Sequence, residues 1–174
     1  MIMILKPQDI VVLLKLTAME SKEWSFASLA TDLYMSPSEV HAGIKRATSA
    51  RLFDETRKMP VRKNLEEFLI HGVKYAYPPQ HGALTRGIPT GYAAYPLNEK
   101  LALGKNDVPP VWPHPEGEVR GYEFSPLYKS APSAALKDKD LYALLAILDA
   151  IRDGRARERE LAIKELQSRL GDKV

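Results

Sequence analysis

Apolar positions along the first seventy residues recur at helical spacing. Pro7 suits the first turn of a helix, and Ile10, Leu13, Leu14 and Thr17/Ala18 follow on one face, widened by Val11 and Val12. Glu20 to Trp24 reads as a polar connection ending in an anchoring aromatic. Ser25 is a suitable cap for a second helix whose buried face is Phe26, Leu29, Ala30 and Leu33. Ser36-Pro37-Ser38-Glu39 carries three start signals in a row: a hydroxyl cap, a proline at the first helical position and a carboxylate placed to close a capping box. These signals predict a third helix over 36–50, with Val40, Ile44 and Ala47 turned inward. A fourth helix is predicted from Asn64 to Val73, capped by Asn64 and striped by Leu65, Phe68, Leu69 and Val73.

Periodicity then stops. Ten of the 13 prolines fall between Pro78 and Pro132, interspersed with Tyr75, Tyr77, Tyr92, Tyr95, Trp112, Tyr122, Phe124 and Tyr128. A disordered linker has few aromatics, so residues 73–135 are expected to form an irregular Pro/aromatic-rich arm that packs its rings onto a neighbour. Helical spacing returns at 136–174. Asp138 or Asp140 caps a helix through Leu141–Ile151, Gly154 stops it, and Arg155 to Leu170 forms a second one with Ile163, Leu166 and Leu170 as its stripe. The first of this pair is apolar on nearly every side, which predicts burial against a second copy and hence a homodimer. The expected fold is mainly α with a small β component: residues 1–72, then the arm 73–135, then a C-terminal helical hairpin for dimerisation or partner docking.

The polar side of the third helix carries the candidate chemistry. At 100° per residue, Ser38, Ala42, Lys45 and Ser49 lie opposite the apolar face, with His41 and Arg46 on its flanks and Ser36 at its start. Small residues let a helix approach base edges closely, and hydroxyls and cations reach bases or phosphates. Charge is distributed in the same sense. Residues 1–44 hold three lysines against five acids, whereas residues 45–63 hold seven lysines and arginines against two, Arg57, Lys58, Arg62 and Lys63 among them. Such clustering is the electrostatic footprint of a phosphate-binding surface.

These residues carry a family resemblance. Ala30 fills the small position of a first helix, and Val40 and Ile44 fill two apolar positions four apart on a second. Leu29–Leu33 through Ser36–Val40, followed by Arg51-Leu52-Phe53, resembles the MarR-type winged-helix transcriptional regulators over about the first 65 residues. Tyr34 stands where such turns often carry glycine. The resemblance implies a winged-helix-like domain over 1–72 that inserts helix 36–50 in the major groove of double-stranded DNA. Leu52-Phe53 would begin a strand, and Arg57–Lys63 would form the wing. It further implies a sequence-specific regulator, a repressor, without catalytic activity.

Other chemistry finds little support. The chain has no cysteine, which removes thiol catalysis and Cys-ligated metal and fits a reducing, cytoplasmic compartment. His71, His81 and His114 lack ligand spacing, so no metal or cofactor is expected, and no nucleophile elbow or paired-carboxylate motif is visible. Met1–Leu5 lacks the marks of a signal peptide, and no run approaches the ~20 apolar residues of a membrane span. Gly82–Gly91 lacks the Gly-Lys-Ser/Thr step of a phosphate loop, which leaves Arg86 as its candidate contact for nucleic acid or a partner. The alternative function is an antitoxin-like or adaptor protein that wraps a protein partner with the 75–128 arm.

Overall fold

A computed structural model of the chain describes residues 3–20 and 22–171. Met1, Ile2, Ser21 and residues 172–174 lie outside the described residues, and with them parts of the Met1–Leu5 run, of the Glu20–Trp24 connection and of the C-terminal segment. The fold is mainly helical with a small sheet component. Helices α1 (Pro7–Met19), α2 (Phe26–Leu33) and α3 (Pro37–Ser49) lead into a short hairpin of β1 (Phe53–Asp54) and β2 (Met59–Pro60). Helices α4 (Arg62–His71) and α5 (Val73–Ala76) follow, then strands β3 (His81–Pro89), β4 (Pro110–Pro113) and β5 (Val119–Phe124). Helices α6 (Ala131–Lys137), α7 (Lys139–Asp153) and α8 (Ala156–Leu170) complete the chain.

The helix starts follow the local signals. Ser25 and Ser36 both cap as expected, and Glu39 closes the capping box with Ser36. The fourth helix departs from expectation: it begins at Arg62, and Asn64 instead donates from Nδ2 to the Arg51 carbonyl at 2.8 Å. Phe26 also differs, since it sits at the rim, 37% exposed, rather than in the core.

α1 is the hub. Every residue from Asp9 to Thr17 is buried, because α3 packs against it from one side and α7 from another. Its two buried charges are both paired. Asp9 meets Arg46, and Lys15 Nζ donates to Asp138 at 2.7 Å with Asp32 at 3.7 Å. Gly43 permits the close crossing of α3, because a Cβ there would lie 2.9 Å from Asp9 Oδ1. One continuous apolar cluster runs from Ile10 in α1 to Leu170 in α8.

α7 is buried from Ala143 to Arg152, but its cover comes from this same chain: α1, α5, α6, α8 and the turn at Gly91–Ala93 pack around it. The burial that suggested a second copy is therefore satisfied internally, and that reason for a homodimer falls away.

Residues 73–135 are not an irregular arm. β3 pairs antiparallel with β4 through Gly87–Pro89 and with β5 through His81–Gly87, while β4 and β5 pair in parallel. All three strands pair with one another, so the small sheet closes on itself. Closure demands a missing side chain at Gly87, where a Cβ would overlap the Trp112 carbonyl. The sheet is pinned to α7 by a buried polar cluster. The Asp149 carboxylate accepts from Thr90 Oγ1 at 2.6 Å, Trp112 Nε1 at 2.8 Å and Arg152 Nη1 at 2.9 Å. Arg152 Nε donates onward to the Tyr77 carbonyl at 2.9 Å. Burial pushes the Asp149 carboxyl up from its ordinary value, against the pull of Arg152 and the two neutral donors. Tyr77, Thr90 and Trp112 of this segment are thereby tied to α7.

Candidate nucleic-acid interface

The front of α3 is built by its cap. Ser36 Oγ accepts from the Glu39 N–H at 3.1 Å, and the Glu39 carboxylate accepts from the Ser36 N–H at 2.8 Å. Tyr128 Oη donates to Glu39 Oε1 at 2.9 Å, which ties the segment before α6 to this helix. The Ser36 backbone bond, then the Tyr128 bond, hold the Glu39 carboxyl below its ordinary value against the effect of burial. Ser36 is thereby committed to capping, with Ser38 Oγ 3.4 Å from its hydroxyl.

Behind the cap, Ser38, His41, Lys45 and Ser49 are exposed along one stripe, and Ala42 is half-buried beside them. The His41 ring lies 5.0 Å from the ring of Phe26. Arg46 does not join this stripe. Its Nε donates to Asp9 Oδ2 at 2.7 Å and its Nη2 to Asp9 Oδ1 at 2.8 Å, with only 15% of the side chain exposed. The hydrogen bond to Asp9 raises the Arg46 pKa further above its ordinary value, in spite of burial. Its assignment as a DNA contact is corrected: a fully buried carboxylate outcompetes an external phosphate for that guanidinium.

The β1–β2 hairpin supplies the neighbouring cations. Asp54 Oδ1 accepts from the N–H groups of Thr56 and Arg57, which shapes a four-residue loop from Glu55 to Lys58. Arg57 is 76% exposed and lies 3.9 Å from Asp54, a weak surface pair. Trp24 Nε1 donates to the Lys58 carbonyl at 3.0 Å and thus fastens the loop to the start of α2. Trp24 packs edge-on against Phe26 and Phe53. An open groove of about 460 Å³ is lined by Trp24, Phe26, Ile44, Phe53 and Lys58, between α3 and the hairpin.

The basic run 57–63 is divided. Arg57 and Lys58 sit on the hairpin loop, whereas Arg62 and Lys63 begin α4. Arg62 is half-buried and its Nη1 reaches the Arg169 carbonyl of α8 at 3.5 Å, so it is corrected from wing contact to a packing position. Lys63 is exposed but helical, hence not part of a wing. Arg51, not among the contacts expected from the sequence, is exposed just after α3 with a left-handed φ of 64°. Its signal was its place in the basic segment directly behind the helix. Among the described residues Lys45, Arg51, Lys58 and Lys63 form no ion pair. Tyr34, at the turn between α2 and α3, itself takes the left-handed conformation (φ 55°), and Lys137 Nζ lies 4.8 Å from its ring centroid. Arg86 is far along the sequence on β3, exposed and directly opposite Arg120 of β5.

Among the described residues no group of His, Asp and Glu side chains could hold a metal ion, and no helix is long and apolar enough to cross a membrane. Comparison with protein-family models, curated proteins and solved structures returns no match to this chain.

Proposed function

We propose that the chain is a DNA-binding regulator that presents α3 to the major groove, with the β1–β2 loop as a short wing on the adjoining backbone. The observation that carries this is the exposed Ser38–His41–Lys45–Ser49 stripe of α3, followed in the chain by the exposed Arg51 and by Arg57 and Lys58 of the hairpin loop, in the order a winged helix uses. Ser38, Lys45 and Ser49 are the base-reading or phosphate-reading side chains, and Ala42 leaves room for close approach. The role is occupancy of an operator, which represses, and it requires no catalytic group. Arg46 contributes by holding α3, not by touching DNA.

Selection from pooled random duplexes, followed by binding across a salt series, tests this. Lys45→Ala is expected to weaken the selected site by about 1–3 kcal/mol if Lys45 reaches a base. Lys58→Ala should weaken all duplexes alike and lower the salt slope by about one. Two enriched half-sites ~34 Å apart would place two copies on DNA, and a single half-site would refute the homodimer. No enriched motif, with both variants binding as the parent does, would refute the regulator.

A further inference from the structure

The register of β3 against β5 puts two arginines face to face. Arg86 is paired with Arg120, and the next pair on the same face is Leu84 with Tyr122. All four are exposed, Leu84 by 45% and Tyr122 by 50%. Like charges directly opposite on paired strands are destabilising unless something neutralises them. Among the described residues no carboxylate forms an ion pair with either guanidinium. Glu123 alternates to the other face and lies over Gly82, and Glu118, exposed just before β5, pairs with neither guanidinium. The face continues past Tyr122, which also lines an open groove of about 520 Å³ with Tyr92, Arg155 and Arg157. Four carboxylates, Asp107, Asp149, Asp153 and Glu158, also line that groove, so the cationic part of the face is the Arg86–Arg120 pair itself.

We propose that the β3–β5 face is a docking surface for single-stranded nucleic acid, in which Arg86 and Arg120 take phosphates while the Tyr122 ring stacks on a base. Charge complementarity identifies a polyanion, since an external phosphate chain removes the repulsion that the fold itself leaves standing. The exposed tyrosine beside the cations identifies the kind of polyanion. An unpaired base offers an aromatic face to stack on, which neither a duplex interior nor an acidic peptide provides. The surface uses no residue of α3, so it stands or falls separately from duplex recognition.

The test is fluorescence anisotropy of the full chain with a labelled oligothymidine of about 20 nucleotides. Arg86→Ala with Arg120→Ala should weaken binding about tenfold or more, and Tyr122→Ala by a similar factor, whereas Tyr122→Phe retains it. Arg120→Glu is the decisive variant. It places opposite charges across the strand pair, so it should not lower the unfolding temperature, yet it should abolish oligonucleotide binding. Lys45→Ala should leave oligonucleotide binding unchanged, and Arg120→Glu should leave any selected duplex motif unchanged. The proposal is overturned if the parent protein does not bind the oligonucleotide at micromolar concentration. It is equally overturned if Arg120→Glu binds as the parent does, or if polyglutamate competes as well as the oligonucleotide and Tyr122→Ala has no effect.

Discussion

Replacing Arg46 by alanine separates a helix that reads DNA from a helix that is held in place. Asp9 is fully buried, and its two oxygens accept from Arg46 Nε and Nη2 and from the Lys6 N–H. Removing the guanidinium leaves the carboxylate with one backbone donor in an apolar helix crossing. Breaking a buried ion pair from one side costs about 3–5 kcal/mol. The Arg46 side chain is 15% exposed, so water can enter part of the vacated space, and the lower end of that range applies. For a domain of this size ~3 kcal/mol lowers the unfolding midpoint by about 6–12 °C. Arg46→Lys should fall between, because an ammonium cannot span both oxygens at once. Urea and thermal unfolding followed by circular dichroism measure the loss. In the double variant Asp9→Asn/Arg46→Met the two single losses should not add, since they remove one interaction. The reasoning fails if Arg46→Ala unfolds within about 2 °C of the parent while losing duplex affinity, because that pattern belongs to a guanidinium on DNA.

Asp138 predicts an acid limb. Burial pushes its carboxyl up, but the Lys15 hydrogen bond, the Leu141 and Asp140 N–H groups and the Lys15 charge together bring it below 3.8. A lowered carboxyl stabilises the fold above its unfolded value and loses that contribution as pH falls from 3.8 through the lower folded value, so Asp138→Asn should flatten urea stability between pH 5 and 2. Tyr77 and Tyr142 are both pushed up to about 12 by burial, so an alkaline absorbance titration of the folded chain should show a step near pH 12 that Tyr77→Phe and Tyr142→Phe each diminish; a step unchanged in both variants would contradict the buried placement. A fragment of residues 1–72 should show no cooperative melt, because α7 covers one side of α1 and Asp138 pairs the buried Lys15; a cooperative transition in the fragment would refute that dependence.

How much of this was readable in advance follows from how local each interaction is. The caps of α2 and α3 involve residues three apart, and Ser25 and Ser36 announced them correctly. Arg46 reads as a DNA contact in the sequence because its partner lies 37 residues away, and a flank position on a helix wheel does not say which flank another helix covers. The three-stranded sheet is hidden in the sequence for a related reason. Its pairings join residue 81 to residue 124, and Gly87, Gly121, Pro89 and Pro113 interrupt the alternation that would have advertised strands. α7 was legible as a helix buried on every side, but sequence could not name the cover, and α1 and α8 took the place assigned to a second copy. The Arg86–Arg120 juxtaposition depends wholly on strand register and leaves no trace in either segment alone.

Lys45 and Arg46 are adjacent and both basic, yet about 100° of helix rotation gives them different work. The buried side chains of α3, Val40, Ile44 and Ala47, are apolar and tolerate displacement along the helix axis, since aliphatic side chains interdigitate at more than one offset. The Asp9–Arg46 pair does not. A slip of one turn would separate both hydrogen bonds and strand a buried carboxylate, a loss of several kcal/mol that no alternative apolar contact replaces. Gly43 adds the complementary steric condition, because only there does the helix approach Asp9 closely enough for the pair to form. The register of α3, and with it the direction in which Ser38, His41, Lys45 and Ser49 project, is therefore specified by a polar contact on the flank of the helix, about 100° round from Lys45. On this view Arg46 aims the face that Lys45 presents.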